Sequence, residues 1–219
     1  MAGEQGVAYE HLLRQGGDRM LREASAYFAG EGRLHVTLRR LTQRLNAEGI
    51  PYALLRGLAL AEHGYPRLTE DIDLLLTPSG LEHFHQRLVG RGYRPAFSGA
   101  EKSFRDTETG VRIEIVTAGE YPGDGLPKPV AFPDPTTPGV TVEREGIRVV
   151  ALAKLIELKL ASGMSAPHRL RDLAHVQDLI GRLSLPVTLT DRSDPSVRTA
   201  YRDLWEKVRA GGLAGSQEG

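Results

Sequence analysis

The stretch LLRGLALAEHGYPRLTEDIDLLL, residues 54–76, sets the expected fold because it holds a strand, a turn into a helix and a second strand. Residues 52–55 form a short apolar run, which predicts a buried strand. Residues 58–64 are expected to form a short helix that ends at a glycine. Residues 71–76 start with alternating acidic side chains and continue as an apolar run, which predicts a second buried strand.

Asp71 and Asp73 stand at the start of that second strand. Side chains at positions i and i+2 of a strand point to the same face of the sheet, so the two carboxylates are expected to lie close together. Like charges at that separation repel each other unless a cation lies between them. Mg²⁺ prefers carboxylate oxygens, but an isolated D-x-D is more often a pair of exposed acids on an edge strand. The interpretation therefore depends on what surrounds the pair.

Two further features favour a site at this point. Glu114 lies in the alternating stretch 111–116 and is flanked by Ile113 and Ile115, so a strand beside 71–76 would bring a third carboxylate to the same place. Gly57 falls at the expected strand-to-helix turn, where a glycine lets backbone N–H groups approach an anion. A turn of this kind followed by paired carboxylates is consistent with two-metal phosphoryl chemistry.

The rest of the chain predicts an α/β (α+β) fold, a mixed sheet flanked by helices with a helical C-terminal part. Further strands are expected near 102–106 and at 111–116, 140–143 and 147–150, with a loop rich in glycine and proline at 117–139. Helices are expected at 8–29, 33–48, 80–90, 151–161, 168–182 and 195–209. We therefore divide the chain into N-terminal helices (1–50), an α/β core (51–150), a C-terminal helical part (151–210) and a disordered tail (211–219).

Composition excludes several classes of protein. The 219 residues contain no cysteine, which rules out disulfide scaffolds, thiolate zinc sites and cysteine nucleophiles. Lys+Arg and Asp+Glu are both 28, so coating of nucleic acid by bulk charge is not expected. The charge is uneven, with a net −3 in residues 51–150 and +3 in residues 151–210. No apolar run approaches the roughly 18 residues that span a bilayer, and no signal pattern starts the chain, so we expect a cytoplasmic protein without a membrane partner.

The order Leu55-Arg56-Gly57, then Asp71-Ile72-Asp73-Leu74, resembles the signature of the DNA polymerase β-like nucleotidyltransferase superfamily. Residues 54–76 are most similar to small bacterial members related to the type IV abortive-infection toxins. Two later blocks, ALAKLIELKLA at 151–161 and RLRDLAHVQDLI at 169–180, resemble the helical half of that group.

This resemblance implies roles for the acidic residues and for the glycine. Asp71 and Asp73 would hold Mg²⁺ (or Mn²⁺). Glu114 would be the third metal-binding carboxylate and would ease deprotonation of an acceptor hydroxyl. Gly57 would bind the phosphates of a nucleoside triphosphate.

Other residues are expected to bind the nucleotide. The resemblance implies that Lys159 reaches the phosphates and that Asp172 is the acidic residue of the helical block. Arg67, in the segment that also contains Thr69, would either pair with a phosphate or form a salt bridge with neighbouring acids. Arg56 replaces the first glycine of the family's pair, and its side chain would either clash with a phosphate or grip one.

The expected function is transfer of a nucleoside monophosphate from a nucleoside triphosphate to a hydroxyl group. The acceptor would be RNA such as tRNA, a protein side chain or a small molecule such as an antibiotic. A role as a toxin paired with an antitoxin is expected from the habit of the family alone. The alternative, favoured by Arg56, is a non-catalytic member of the fold that binds a nucleotide or a partner protein.

Overall fold

The computed structural model describes residues 32–66 and 68–215, with side chains up to residue 211. The helix expected at 8–29 and the site residue Arg67 lie outside the described residues. Within them the helices are α1 Arg33–Ala47, α2 Arg56–Glu62, α3 Pro78–Arg87, α4 Leu152–Ser165, α5 Leu170–Arg182 and α6 Pro195–Gly215. The strands are β1 Tyr52–Leu55, β2 Asp71–Leu76, β3 Tyr93–Pro95, β4 Ser103–Asp106, β5 Arg112–Thr117, β6 Thr141–Arg144 and β7 Ile147–Val150.

The strands form one mixed sheet in the order β3-β4-β5-β2-β1-β7-β6. Strand β2 pairs antiparallel with β1 and parallel with β5, and β1 pairs parallel with β7. The side chains of β1 are all buried, and those of β2 are buried from Ile72 onward, which explains the continuous apolar runs in these strands. The expected mixed sheet flanked by helices is thus what the structure shows.

The helices share one hydrophobic core with the sheet. In α1 the buried residues include Leu34, Leu38, Leu41 and Leu45, the helical spacing that predicts this element. Between α4 and α5, a Cβ at Gly163 would lie 2.7 Å from side-chain atoms of Leu173, so glycine lets the two helices pack closely. Among the described helices, none combines the length and the apolar character that crossing a bilayer requires.

Several elements differ from expectation, mostly at their ends. Strand β3 was not expected, because three residues that include a proline carry no alternating pattern. Helix α3 begins at Pro78 because the Thr77 hydroxyl accepts a hydrogen bond from Gly80 N and caps the helix. Helix α4 continues to Ser165 rather than stopping at 161. Helix α6 continues through 211–215, where the sequence suggests a disordered tail.

The hairpin between β6 and β7 turns through Glu145 and Gly146, with φ values of 49° and 77°. Positive φ at both central residues defines a type I′ turn, in which Asn-Gly is preferred. We expect Glu145→Asn to raise the free energy of unfolding by up to about 1 kcal/mol, because asparagine tolerates the left-handed region better than glutamate. Urea unfolding checks this. Glu143→Asn, on the neighbouring exposed strand position, is the control and should bring no gain; equal effects of both changes would contradict the prediction.

Candidate active site

The two strands that carry the carboxylates singled out in the sequence lie side by side at the centre of the sheet. Strand β5 lies beside β2 in parallel, with Glu114 directly opposite Asp73 and Arg112 opposite Asp71. On the other side of β2, Leu55 at the end of β1 is opposite Asp73. The turn from β1 into α2 therefore lies next to the paired aspartates.

Asp73 is buried, and its closest charged neighbour is Arg56. The Arg56 guanidinium donates a hydrogen bond from Nη1 to Asp73 Oδ1 over 2.5 Å. Burial raises the pKa of the Asp73 carboxyl to about 6; Arg56 opposes this rise, whereas the charges of Asp71 and Glu114 add to it. The carboxylate form of Asp73 thus depends on nearby positive charge.

The backbone of Arg56 is left-handed, with φ of 55°. This conformation costs a residue with a side chain roughly 1–2 kcal/mol, a cost that a glycine at this position would avoid. Here Arg56 adopts the left-handed turn, and its guanidinium group forms an ion pair with Asp73 on the neighbouring strand.

Gly57 has a packing role that connects it to Asp71. A Cβ at Gly57 would lie 3.0 Å from Thr69 Cβ and 3.1 Å from Thr69 Oγ1. The same Thr69 hydroxyl donates a hydrogen bond to Asp71 Oδ1 over 2.7 Å. Glycine at position 57 therefore allows Thr69 to approach closely enough to orient one of the paired carboxylates. Phosphate binding by Gly57 stays a prediction.

Glu114 is next to Asp73 in the sheet, but its carboxylate is engaged elsewhere. It accepts a hydrogen bond from Ser103 Oγ over 2.8 Å and forms an ion pair with Arg112. It does not line the cleft that contains Asp71 and Asp73. Among the residues that the structure describes, no three carboxylate or imidazole groups are gathered around one metal position. Metal binding by Glu114 remains a prediction.

The helical part contributes a cation held by a carboxylate. Lys159 Nζ of α4 lies 3.1 Å from Asp172 Oδ1 of α5, and Ser162 Oγ donates a hydrogen bond to Asp172 Oδ2 over 2.6 Å. Burial acts to raise the pKa of Asp172, but the Ser162 hydrogen bond and the Lys159 charge outweigh it and keep this pKa below its ordinary value. The sequence singled out Lys159 and Asp172 separately but not their pairing, nor Ser162.

One cleft of about 770 Å³ unites these groups. The predicted site residues that line it are Arg56, Gly57, Thr69, Asp71, Asp73, Lys159 and Asp172. Residues 120–125 of the glycine- and proline-rich loop form another wall, although the sequence marks them only as a surface loop. Four further ionisable residues outside the predicted set also line the cleft: His168, Arg169, Arg171 and His175.

The loop is fixed to the helical wall at Gly123. Its carbonyl oxygen accepts a hydrogen bond from Arg169 Nη2 over 3.0 Å. A Cβ at Gly123 would lie 3.0 Å from the carbonyl oxygen of Ser162 and closer still to the Ser165 hydroxyl, and φ is 81°. Only glycine combines this backbone conformation with such a close approach.

We expect Gly57→Ala to destabilise the protein by roughly 1–3 kcal/mol, because the added methyl group would push Thr69 away from its position beside Asp71. Thermal or urea unfolding measures the change. Gly181→Ala is the matched control, since its Cβ would meet Val208 Cγ1 at an ordinary 3.6 Å inside a helix. An equally stable Gly57→Ala protein would show that Thr69 is not confined by position 57.

The lowered pKa of Asp172 predicts a pH-dependent contribution to stability. A carboxyl group whose pKa is lower in the folded protein stabilises the fold above its unfolded pKa of about 3.9, and the contribution is lost as the pH falls through the folded value. Asp172→Asn should therefore lower the free energy of unfolding at pH 7. Urea unfolding of both proteins should show the difference shrinking below about pH 4. A difference unchanged at pH 3 would contradict this assignment.

Two solved structures illustrate what this chain is similar to. A Thermotoga maritima protein assigned as a nucleotidyltransferase is 24% identical, with 64% of this chain and 91% of that chain covered and a TM-score of 0.42. The antibiotic-resistance factor ANT(2'')-Ia, solved with adenylyl-2''-tobramycin, is 13% identical, with 78% and 97% covered and a TM-score of 0.44. No curated protein matches the sequence.

A family model described as an uncharacterised nucleotidyltransferase matches residues 9–158. The matched range contains all seven described strands and ends within α4. The expectation of a nucleotidyltransferase family is thereby confirmed, while the closer relation to type IV abortive-infection toxins remains a prediction. Because the match spans more than half of the chain, the protein belongs to this family of uncharacterised nucleotidyltransferases.

Proposed function

We propose that this protein is a metal-dependent enzyme that transfers a nucleoside monophosphate from a nucleoside triphosphate to a hydroxyl group and releases pyrophosphate. The observation that carries the proposal is the cleft itself. Its sheet side presents Asp71 and Asp73, and its helical side presents Lys159 fixed by Asp172. Such a transfer requires carboxylates that hold metal ions and, across the cleft, a cation that binds phosphates.

The donors present fit a hard divalent cation. Asp71 and Asp73 offer carboxylate oxygens on one face of β2, and Glu114 is the neighbour of Asp73 on β5. Burial is the main cause of the raised pKa of Asp73, and the charges of Asp71 and Glu114 add to it, while Arg56 offsets the rise only in part. Asp71 and Asp73 would hold Mg²⁺ (or Mn²⁺), which would supply positive charge to stabilise the phosphate and lower the pKa of the attacking hydroxyl.

The chain's own residues would divide the remaining work. Thr69 fixes the carboxylate of Asp71 so that its oxygens are presented to the cleft, and Asp172 holds the Lys159 ammonium toward the phosphates. Glu114 would take the proton of the acceptor hydroxyl, which requires its side chain to turn from Ser103 toward Asp73.

The acceptor belongs to one of three classes: RNA such as tRNA, a protein side chain, or a small molecule such as an antibiotic. The resemblance to abortive-infection toxins favours RNA or protein and would add an antitoxin as a partner. A second function is binding of a nucleotide or a partner protein without catalysis. One observation supports it: Arg56 forms an ion pair with Asp73, a carboxylate that would bind metal.

Incubation with Mg²⁺ and each α-labelled nucleoside triphosphate tests the proposal, with total RNA, total protein and aminoglycosides offered as acceptors. We expect Asp71→Asn and Asp73→Asn to reduce label transfer about a hundredfold or more, because the charge of the reacting phosphate would lose its metal. Asp191→Asn is the matched control, an exposed acid outside the cleft, and should leave transfer unchanged.

The outcomes separate the two functions. Transfer that survives both cleft substitutions would eliminate this site as the catalytic centre. Binding of a nucleotide to the unchanged protein without transfer to any acceptor would favour the non-catalytic function.

A further inference from the structure

We propose that Arg56 is a built-in counter-cation that occupies the position of a divalent metal beside Asp73 and has to be displaced when the metal binds. This inference rests on the proposed metal-dependent function. It concerns how the site handles its metal rather than which residues form the site.

The contact itself places the two cations in competition. Arg56 Nη1 lies 2.5 Å from Asp73 Oδ1, and the Asp73 side chain is only 8% exposed, so little water competes for that oxygen. A divalent cation would need the same carboxylate at a bond length of roughly 2.1 Å. The guanidinium group covers the Asp73 oxygen. Its positive charge also repels a second cation across a short distance in a partly buried site.

The backbone maintains this arrangement at a cost. Arg56 keeps a left-handed φ of 55° at the turn that follows β1, and the preceding residue, Leu55, lies opposite Asp73 in the sheet. A strained backbone at a cleft is more informative than strain elsewhere, because surrounding structure has to enforce it. Here the strained residue is the one that directs a cation onto the buried aspartate.

The guanidinium also has somewhere to go. The Arg56 side chain is 51% exposed and belongs to the lining of the cleft, so it can leave Asp73 without unpacking the core. A planar guanidinium carries five N–H donors and pairs well with phosphate oxygens. Displacement by a metal would thus release a phosphate-binding group inside the same cleft.

Binding of Mn²⁺ to the nucleotide-free, full-length protein tests the proposal, followed by the electron paramagnetic resonance signal of free Mn²⁺. We expect Arg56→Gln to bind Mn²⁺ about tenfold more tightly than the unchanged protein, because both the contact and the repelling charge are gone. Arg56→Lys keeps the charge and should remain close to the unchanged protein. Arg87→Gln removes an exposed arginine outside the cleft and should change nothing.

Two more variants test whether tighter Mn²⁺ binding comes from the loss of the Arg56 charge beside Asp73. Arg56→Gly is also neutral and suits the left-handed backbone, so it repeats the experiment if Arg56→Gln folds poorly; circular dichroism checks the fold of each variant. Adding Asp73→Asn to Arg56→Gln should abolish the tighter binding, which shows that the gain occurs at Asp73 and not at a surface acid.

Each result decides the matter. Equal or weaker Mn²⁺ binding by Arg56→Gln and Arg56→Gly overturns the competition, and if label transfer persists in the unchanged protein, the proposed function stands without it. Tighter binding in both variants supports the competition, even where no acceptor receives label. Failure of every variant to bind Mn²⁺ overturns this inference, whereas the proposed function is decided separately by whether label transfer requires a divalent cation.

Discussion

A carboxylate buried in the central strand of a sheet has to be matched by positive charge, and Asp73 is in that position. Its strand lies between β1 and β5, so the compensating groups come from those neighbours and from the turn that follows β1. The left-handed turn, the close packing of Gly57 and the hydrogen bond from Thr69 to Asp71 all lie around this one charge. The residues around Asp73 thus stabilise a negative charge that the position of this residue in the sheet buries.

In the helical part the largely buried charge is positive, since the Lys159 side chain is mostly shielded from solvent. Asp172 receives both the Lys159 ammonium and the Ser162 hydroxyl, so each of its oxygens has a partner. Gly163 next to Ser162 brings α5 close enough for this pairing. On the helical side of the cleft Asp172 thus balances the charge of Lys159, and the net positive charge of that side comes from Arg169 and Arg171, which also line it.

The sequence predicts what depends on local patterns. Strands β1 and β2, helix α1 and the shared face of Asp71 and Asp73 follow from hydrophobic periodicity and strand geometry. Side-chain pairings between distant segments do not follow in this way. The ion pair of Arg56 with Asp73, the engagement of Glu114 by Ser103 and the use of residues 120–125 as a cleft wall depend on strand order and rotamers, which periodicity does not encode.

Gly123 connects the loop wall of the cleft to its helical wall. Because its carbonyl is bound by Arg169 and its backbone approaches α4 too closely to leave room for a Cβ, the loop at 120–125 is docked on the helical part that carries Lys159 and Asp172. Lifting this wall would break a hydrogen bond and a tight packing contact. The width of the cleft on this side consequently depends on how closely position 123 packs against α4, and a side chain there would push the two walls apart.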